Sequence, residues 1–298
     1  GTSTSDLNVF LGTGNDKVET GSGDDFIISG DGNDIVDAGA GDDLIVGGLG
    51  RGDDTYMGGE RADWVIYPSA QFGYDLLINL GTSSVDLTLG DGSFVHLDAQ
   101  SAVDASDSVS WIDSDTLISI ENMVGGEGSD VIAGSDGDNT LIGNLGDDSL
   151  FGGAGDDILI GGSTFDNADD SLSGRDFIGL NPVESGGGSD YLHGGAGFDT
   201  VVYAGTFGDY TFQANAANQV EVISPDGSVD TLIEIEELLF ADGSTVAVGL
   251  PPVLSVSPAA GDEDQPISLD MATSFVDDIG EFASVTITGI PAGAVLFS

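Results

Sequence analysis

The sequence contains no cysteine and very few positively charged residues. The absence of cysteine excludes disulfide bonds and thiolate metal sites. Only 4 of the 298 residues are lysine or arginine, against 53 aspartates and glutamates, so the net charge is −49. Phosphate backbones and anionic lipid headgroups repel such a chain, so we expect no nucleic-acid or membrane-surface partner. No apolar run reaches the ~18 residues of a membrane span, so we expect no membrane insertion either.

The chain nevertheless has enough apolar residues to form a core. They make up 40% of the sequence, and the mean hydropathy is +0.11. Disorder requires low hydrophobicity together with high net charge, and only the second condition holds here. A compact fold must therefore offset about fifty like charges, either with bound cations or in a very saline medium.

Glycine, at 48 residues, follows a nine-residue repeat. One unit reads Gly-x-Gly-Asx-Asp-x-apolar-x-x, as in the letters GTGNDKV of residues 12–18. The units fill two blocks, 12–66 and 126–203. The register slips by two residues before Asp54, Arg61 replaces a glycine, and 24 residues interrupt the second block after Gly155.

This spacing predicts a coil of eighteen residues. The residues around each apolar position form a very short strand, and the Gly/Asx-rich residues turn the chain because glycine tolerates positive φ. Two units complete one coil, and successive coils stack at the ~4.8 Å strand spacing. The apolar positions then form a thin core, and the aspartates form a column of carboxylates.

Such a column requires a cation. Neighbouring carboxylates repel each other by roughly 1–4 kcal/mol at effective dielectric constants of 80 to 20. A hard dication between the coils replaces this electrostatic repulsion with a net attraction. Carboxylates and turn carbonyls supply the many oxygen ligands that calcium prefers, whereas magnesium keeps more of its water.

These residues resemble the RTX nonapeptide family, and the resemblance implies a calcium-binding parallel β-roll. It also implies that the unit aspartates and the turn glycine carbonyls are the calcium ligands, with roughly eight ions in all. In block 1 the candidates are Gly12, Gly14, Asp16, Gly21, Gly23, Asp25, Gly30, Gly32, Asp34, Gly39, Gly41, Asp43 and Asp63. In block 2 they are Gly126, Gly128, Asp130, Gly137, Asn139, Gly146, Asp148, Gly153, Gly155, Asp157, Gly186, Gly188, Asp190, Gly195, Gly197 and Asp199. Asn139 brings no charge, and Asp54 and Arg61 depart from the family pattern.

The expected fold class is all-β: a parallel β-roll in two repeat blocks, a β-rich cap, and the start of an immunoglobulin-like β-sandwich. We expect block 1 at 1–66, a β-rich insertion at 67–124, block 2 at 125–203 with a loop at about 163–185, and the cap at 204–250. Residues 251–298 resemble the start of an immunoglobulin- or cadherin-like module. For 67–124 we expect extra coils of the roll, with a ligand surface around Phe72, Tyr74 and Trp111 as the alternative.

Catalytic motifs are absent from the sequence. There is no H-E-x-x-H, G-x-S-x-G or P-loop, so we expect no enzymatic activity. His96 and His193 read as surface strand residues without metal-ligand spacing. The resemblance implies a segment of a large protein exported by type I secretion, at the cell surface of a Gram-negative bacterium. The very acidic composition favours a marine or saline habitat, where charges are strongly screened. We expect an adhesin with neighbouring modules, cell-surface glycans or other copies as partners; the alternatives are the calcium module of a secreted enzyme and a surface-layer or filament subunit.

Overall fold

The computed structural model describes residues 4–47, 52–67, 75–104, 114–162, 188–217, 219–248, 255–256 and 271–272. The chain divides into two compact units, 1–246 and 247–298. The loop expected at 163–185, the alternative ligand residues Phe72, Tyr74 and Trp111, and the candidate ligand Gly186 lie outside the described residues.

The first unit consists of two long β-sheets. Sheet A has twelve strands. In spatial order these are β2 (Lys17–Ser22), β4 (Ile35–Ala40), β6 (Thr55–Glu60), β12 (Asp115–Ile118), β11 (Ser101–Asp104), β8 (Leu76–Asn79), β14 (Val131–Ala133), β16 (Ser149–Ala154), β18 (Tyr191–Ala196), β22 (Val229–Ile233), β21 (Val220–Ile223) and β20 (Thr211–Ala214).

Sheet B has ten strands. In spatial order these are β1 (Asn8–Phe10), β3 (Phe26–Ile28), β5 (Leu44–Val46), β7 (Trp64–Ile66), β13 (Asn122–Val124), β15 (Thr140–Asn144), β17 (Ile158–Gly162), β19 (Thr200–Tyr203), β23 (Glu237–Phe240) and β24 (Thr245–Ala247).

The chain alternates between the sheets, and each strand of the repeat pairs in parallel with the strand one coil away. Val18 lies opposite Val36 in sheet A, and Ile27 lies opposite Ile45 in sheet B, both at the expected step of eighteen residues. The apolar residues of the inner units, such as Ile45, Leu150 and Leu159, are completely buried, whereas Val18 of the first unit is partly exposed. This arrangement is the parallel β-roll that the nine-residue period predicts.

Sheet B has a second apolar layer on its other face. Side chains of a strand alternate between faces, so the residues flanking each core position point away from the roll interior. In sheet B these flanking positions form a buried cluster of Phe26, Leu44, Val46, Ile66, Val124, Ile142 and Ile160. Sheet B is therefore apolar on both faces.

The end of the insertion between the two blocks forms one further coil of the roll, and an earlier part adds strands to sheet A alone. Strands β12 and β13 pair in parallel with β6 and β7, so they extend both sheets by one coil. In sheet A, β8 and β11 enter between β12 and β14, and β11 pairs antiparallel with both of its neighbours. Strands β8 and β11 therefore add to one sheet only, because an antiparallel pair returns the chain within the same sheet.

A hairpin from the same insertion lies outside the two sheets. Strands β9 (Val85–Thr88) and β10 (Phe94–Leu97) pair antiparallel. Leu97 is buried in a cluster with Val131 and Ala133, against which Leu77, Val85, Leu87, Leu89, Val95 and Phe151 pack. The hairpin therefore covers part of the outer face of sheet A.

The roll continues for one coil beyond block 2 before it closes. Strands β22 and β23 pair in parallel with β18 and β19, and β21 and β20 then follow as antiparallel strands. A short 3-10 helix, Phe207–Asp209, lies nearby. Phe240 contacts the rings of Tyr203, Phe207, Tyr210 and Phe212 at centroid distances of 5.5 to 6.4 Å. This aromatic cluster packs at the last coil.

In the second unit, β25 (Ser255–Val256) pairs antiparallel with β26 (Met271–Ala272). The immunoglobulin-like module expected at 251–298 stays a prediction. In the described parts of both units there is no helix of the length and apolarity needed to cross a membrane.

Candidate metal centre

The structure arranges the repeat aspartates in two columns rather than one, because alternate units precede strands of different sheets. Ladder A is the column before the sheet A strands and contains Asp16, Asp34, Asp54, Asp115, Asp130, Asp148, Asp190 and Asp230. Ladder B is the column before the sheet B strands and contains Asp25, Asp43, Asp63, Glu121, Asn139, Asp157, Asp199 and Glu236.

Hydrogen bonds join successive members of each ladder except at the inserted strands of sheet A, where Asp130 Oδ1 accepts the Leu76 amide at 2.7 Å. The Asp16 amide donates to Asp34 Oδ1 at 2.8 Å, and the Asp25 amide donates to Asp43 Oδ1 at 2.7 Å. The same bond recurs along both blocks, for example from the Asp148 amide to Asp190 Oδ1 at 2.9 Å. Each coil therefore presents a carboxylate to the backbone of the coil before it, which aligns the turns.

The second carboxylate oxygen has no such partner at seven of these positions. Seven buried Oδ2 atoms have no hydrogen-bond partner within the protein: those of Asp25, Asp34, Asp43, Asp63, Asp148, Asp157 and Asp199. Buried carboxylate oxygens are rarely left without a partner, because an uncompensated buried charge costs several kcal/mol. Their recurrence along both ladders requires a repeated positive ligand.

The unpartnered oxygens lie beside backbone carbonyls. A β-carbon added at Gly143 would meet Asp148 Oδ2 and would lie 2.6 Å from the carbonyl oxygen of Gly161. At Gly152 it would meet Asp157 Oδ2, with the Gly194 carbonyl oxygen at 2.6 Å. A carboxylate oxygen of one coil and a carbonyl oxygen of the next thus converge at the first glycine of these turns, and the same contact recurs at Gly58, Gly125 and Gly194. The predicted ligand set does not include these first-position glycines.

The predicted glycines at the second and fourth positions of the turns serve close stacking. Gly32 and Gly41 have φ of +119° and +147°, which favours glycine. A β-carbon at Gly32 would lie 2.5 Å from the carbonyl oxygen of Gly14, and one at Gly41 would meet the carbonyl of Gly23. Their lack of a side chain therefore lets successive turns approach each other.

Electrostatics in the calcium-free chain disfavour ionised ladders. Burial raises the pKa of Asp43 to about 6 and of Asp63 to about 7. Burial, with the like charges of Asp130 and Asp190, raises the pKa of Asp148 to about 10. Among the described residues the only lysine and arginine are Lys17 and Arg61, and Lys17 pairs with Glu19 at the surface. A bound dication supplies the missing positive charge.

The chemistry of the donors fits calcium. In the described part of the chain, no three Asp, Glu or His side chains converge to form a metal cluster, so the shell must include backbone carbonyls. Carboxylate and carbonyl oxygens in flexible number are the ligands of calcium. The Oδ2 atoms of the seven unpartnered aspartates would hold the ion, which would neutralise the ladders and draw neighbouring coils together.

At three positions the sequence departs from the repeat, yet the chain keeps the backbone arrangement of the roll. Asp54, expected to depart from the pattern, is a buried ladder member whose Oδ1 accepts the Asp34 amide at 2.7 Å, because the two extra residues lie in the preceding turn. Arg61 takes the glycine conformation of its turn, with φ of +98°. Asn139 lies in ladder B, but its Nδ2 donates to the Glu121 carbonyl at 2.7 Å.

The nine-residue pattern does not reveal four of the ladder residues. Asp115 and Asp230 extend ladder A, and Glu121 and Glu236 extend ladder B, from segments outside the repeat. Glu121 and Glu236 do so with the longer side chain through Oε2. All four lie outside the nine-residue register, so the repeat by itself gives no signal for them.

His96 and His193 are surface residues, as predicted. The ring Nδ1 of His96 lies 2.6 Å from Asp86 Oδ1 on the exposed hairpin, and this bond raises the pKa of the imidazole. His193 Nε2 lies 3.7 Å from Glu234.

A parallel roll with carboxylates and carbonyls at every turn defines a class of repetitive cation-binding β-solenoid. The family model of the RTX calcium-binding nonapeptide repeat matches the chain four times, at residues 10–45, 124–159, 133–168 and 183–201. The chain therefore carries RTX calcium-binding repeats and is a calcium-binding module of an RTX protein. A search of curated proteins found no significant match.

Proposed function

We propose that this module belongs to a large secreted bacterial RTX adhesin and that it folds when it meets calcium outside the cell. The seven buried aspartate oxygens without a hydrogen-bond partner carry the proposal. In low calcium their desolvation and mutual repulsion oppose folding. Calcium binds the folded roll and not the unfolded chain, so binding supplies the missing free energy. Extracellular modules bind calcium with dissociation constants of about 10⁻⁴–10⁻³ M. With such an affinity the sites fill at the high calcium concentration outside the cell and stay empty at the low concentration inside it.

A calcium titration followed by far-UV circular dichroism tests this coupling, with magnesium at matched ionic strength as the control. We expect β-structure to appear cooperatively with calcium and not with magnesium. Full β-structure in EDTA would contradict the coupling, because the roll would then be stable with its carboxylates unneutralised.

The adhesive role rests on the sequence of the second unit, which resembles the start of modules that are repeated in large surface proteins. A structural role without catalysis is consistent with the lack of enzyme motifs in the sequence. We expect the calcium-folded protein to bind a panel of cell-surface glycans and the EDTA-treated protein not to bind. Calcium-triggered light scattering without glycan binding would instead favour the surface-layer or filament alternative.

A further inference from the structure

Two neighbouring members of ladder A, Asp54 and Asp115, each have one carboxylate oxygen bound by a tyrosine hydroxyl. Asp130 also has no unpartnered oxygen, but its partners are the backbone amides of Leu76 and Gly126. Asp54 and Asp115 are 4% and 1% exposed, as buried as Asp34, yet neither has an unpartnered oxygen. Asp54 Oδ1 accepts the Asp34 amide, and its Oδ2 accepts the Tyr56 hydroxyl at 2.7 Å. Asp115 Oδ1 accepts the Asp54 amide at 2.9 Å, and its Oδ2 accepts the Tyr67 hydroxyl at 2.7 Å.

The two tyrosines are held firmly in these positions. Tyr56 occupies the core position of its unit and is completely buried, and Tyr67 is 3% exposed. The Tyr56 hydroxyl also lies 3.0 Å from the buried hydroxyl of Ser29. The ring of Tyr56 packs against Gly47, where a β-carbon would lie 2.7 Å from the hydroxyl oxygen. Neither hydroxyl can leave its carboxylate without moving a buried ring.

A phenol that donates to a carboxylate occupies the oxygen that a cation needs, and it presents hydrogen rather than a lone pair to the site. We propose that Tyr56 and Tyr67 close the turns of Asp54 and Asp115 to calcium, so that the junction between the two repeat blocks keeps its structure without the ion. This inference rests on the proposed calcium-coupled folding. It adds that the turns of Asp54 and Asp115 fold without binding calcium.

The position of these turns supports the inference. Strand β6 directly follows Asp54, and β12 begins at Asp115. Both strands lie in sheet A where the regular parallel stack meets the inserted strands β11 and β8. The family model matches residues 10–45 and resumes at 124, so neither turn is included in a match. The junction thus departs from the repeat in sequence and in hydrogen bonding at the same coils.

The consequence is a roll with three segments. In block 1 and in block 2, buried oxygens such as Asp43 Oδ2 and Asp157 Oδ2 await a cation. Between the blocks, the tyrosine hydroxyls satisfy the corresponding oxygens of ladder A. On the ladder B side of the same coil, Asp63 Oδ2 still lacks a partner. Without calcium we therefore expect both blocks to open and the ladder A side of the junction to persist as a folded core from which each block can re-form.

Matched aspartate substitutions in the full chain distinguish closed turns from calcium turns. The variants are Asp54→Asn and Asp34→Asn, which change neighbouring members of ladder A. Bound calcium is counted by equilibrium dialysis with metal analysis. We expect Asp34→Asn to lose at least one ion and to raise the calcium midpoint about tenfold, as loss of one charged ligand predicts. Asp54→Asn should keep the wild-type ion count with a midpoint within about twofold.

Loss of an ion in Asp54→Asn would overturn the inference while leaving calcium-coupled folding intact. A wild-type protein that binds no calcium would instead overturn the proposed function itself. The two failures are therefore distinguishable in one experiment.

Tyrosine substitutions provide a second readout by hydrogen exchange. In EDTA, amides of residues 55–60 and 115–118 should exchange more slowly than those of β2 and β4 in block 1 and of β16 and β18 in block 2. Tyr56→Phe and Tyr67→Phe should abolish this difference and, with calcium present, should each bind about one additional ion because Oδ2 is freed. Tyr191→Phe, at a half-buried ring packed on Phe151, is the control and should change neither quantity. Unaltered protection in both variants would refute the role of the hydroxyls.

Discussion

Asn139 occupies an aspartate position between the charged ladder members Glu121 and Asp157. Its side chain is 2% exposed, and it both accepts the Ser135 amide and donates to the Glu121 carbonyl. An amide can make this pair of bonds and a carboxylate cannot. Asparagine at this position therefore lacks the charge of an aspartate ligand but makes hydrogen bonds that do not depend on calcium.

We therefore expect the effect of Asn139→Asp to depend on the calcium concentration. In calcium just sufficient to fold the roll, the substitution should lower the free energy of unfolding by about 3 kcal/mol, because a buried carboxylate then faces the Glu121 carbonyl. In saturating calcium this loss should shrink or reverse, because the new carboxylate can bind the ion. Urea denaturation at the two calcium concentrations measures the difference. Asn15→Asp, at an exposed turn position, should stay within about 0.5 kcal/mol, and equal losses in Asn139→Asp under both conditions would contradict the expectation.

Alanine substitutions at Gly14 and Gly32 distinguish the cost of backbone strain from the cost of disturbing the contact between coils. They occupy the same position of successive turns, with φ of +116° and +119°. A β-carbon at Gly14 has no neighbour within 4 Å, whereas one at Gly32 would lie 2.5 Å from the Gly14 carbonyl oxygen. We expect Gly14→Ala to cost about 1 kcal/mol and Gly32→Ala distinctly more, measured by thermal unfolding in calcium. Similar losses of stability in the two variants would mean that the close contact between coils does not add to the cost of the substitution.

At the scale of the element, the strands follow from the repeat but the hairpin does not. An apolar residue between turns predicts each strand of the roll, because the nine-residue spacing leaves no room for a helix. The alternation of Val85, Leu87 and Leu89 also predicts strand structure in this hairpin. The sequence does not predict that the hairpin packs on sheet A, because this packing depends on side chains of block 2 such as Val131.

The hairpin should contribute to stability through its buried face alone. Leu97 is 2% exposed and Phe94 is 81% exposed, although both belong to β10. We expect Leu97→Ala to cost about 2–4 kcal/mol in saturating calcium, because it leaves a cavity under the hairpin. Phe94→Ala should change stability by less than about 0.5 kcal/mol. Chemical denaturation of both variants tests this, and a neutral Leu97→Ala would show that the hairpin does not pack firmly on the sheet.

At the scale of the whole molecule, the summed titration of the ladders determines the response to pH. Burial raises the pKa of Asp43 to about 6 and of Asp63, Asp130 and Asp157 to about 7, above the ordinary value of 3.8. The calcium-free folded state therefore binds more protons than the unfolded state between these values. Its stability is highest at acid pH and is lost as pH rises through about 6 to 7.

Calcium-free protein should accordingly gain β-structure as pH falls from about 8 to about 5. In the presence of calcium the direction reverses, because protons compete with the ion and raise the calcium midpoint. Circular dichroism of resin-stripped protein, with light scattering to detect aggregation above the pI of 4.1, measures the first effect. Calcium-free β-structure that is lost on acidification would show that the ladder aspartates do not control folding.

The sequence by itself determined the roll, its eighteen-residue coil and the positions of the repeat aspartates, because turn chemistry and strand length act within one nine-residue unit. Only the tertiary structure decided that β8 and β11 join a single sheet, that first-position glycines flank the unpartnered oxygens, and that Tyr56 and Tyr67 satisfy Asp54 and Asp115. These features depend on which coils become neighbours. Asp54 and Asp115 are 61 residues apart in the chain, and no local pattern relates them until the coils stack.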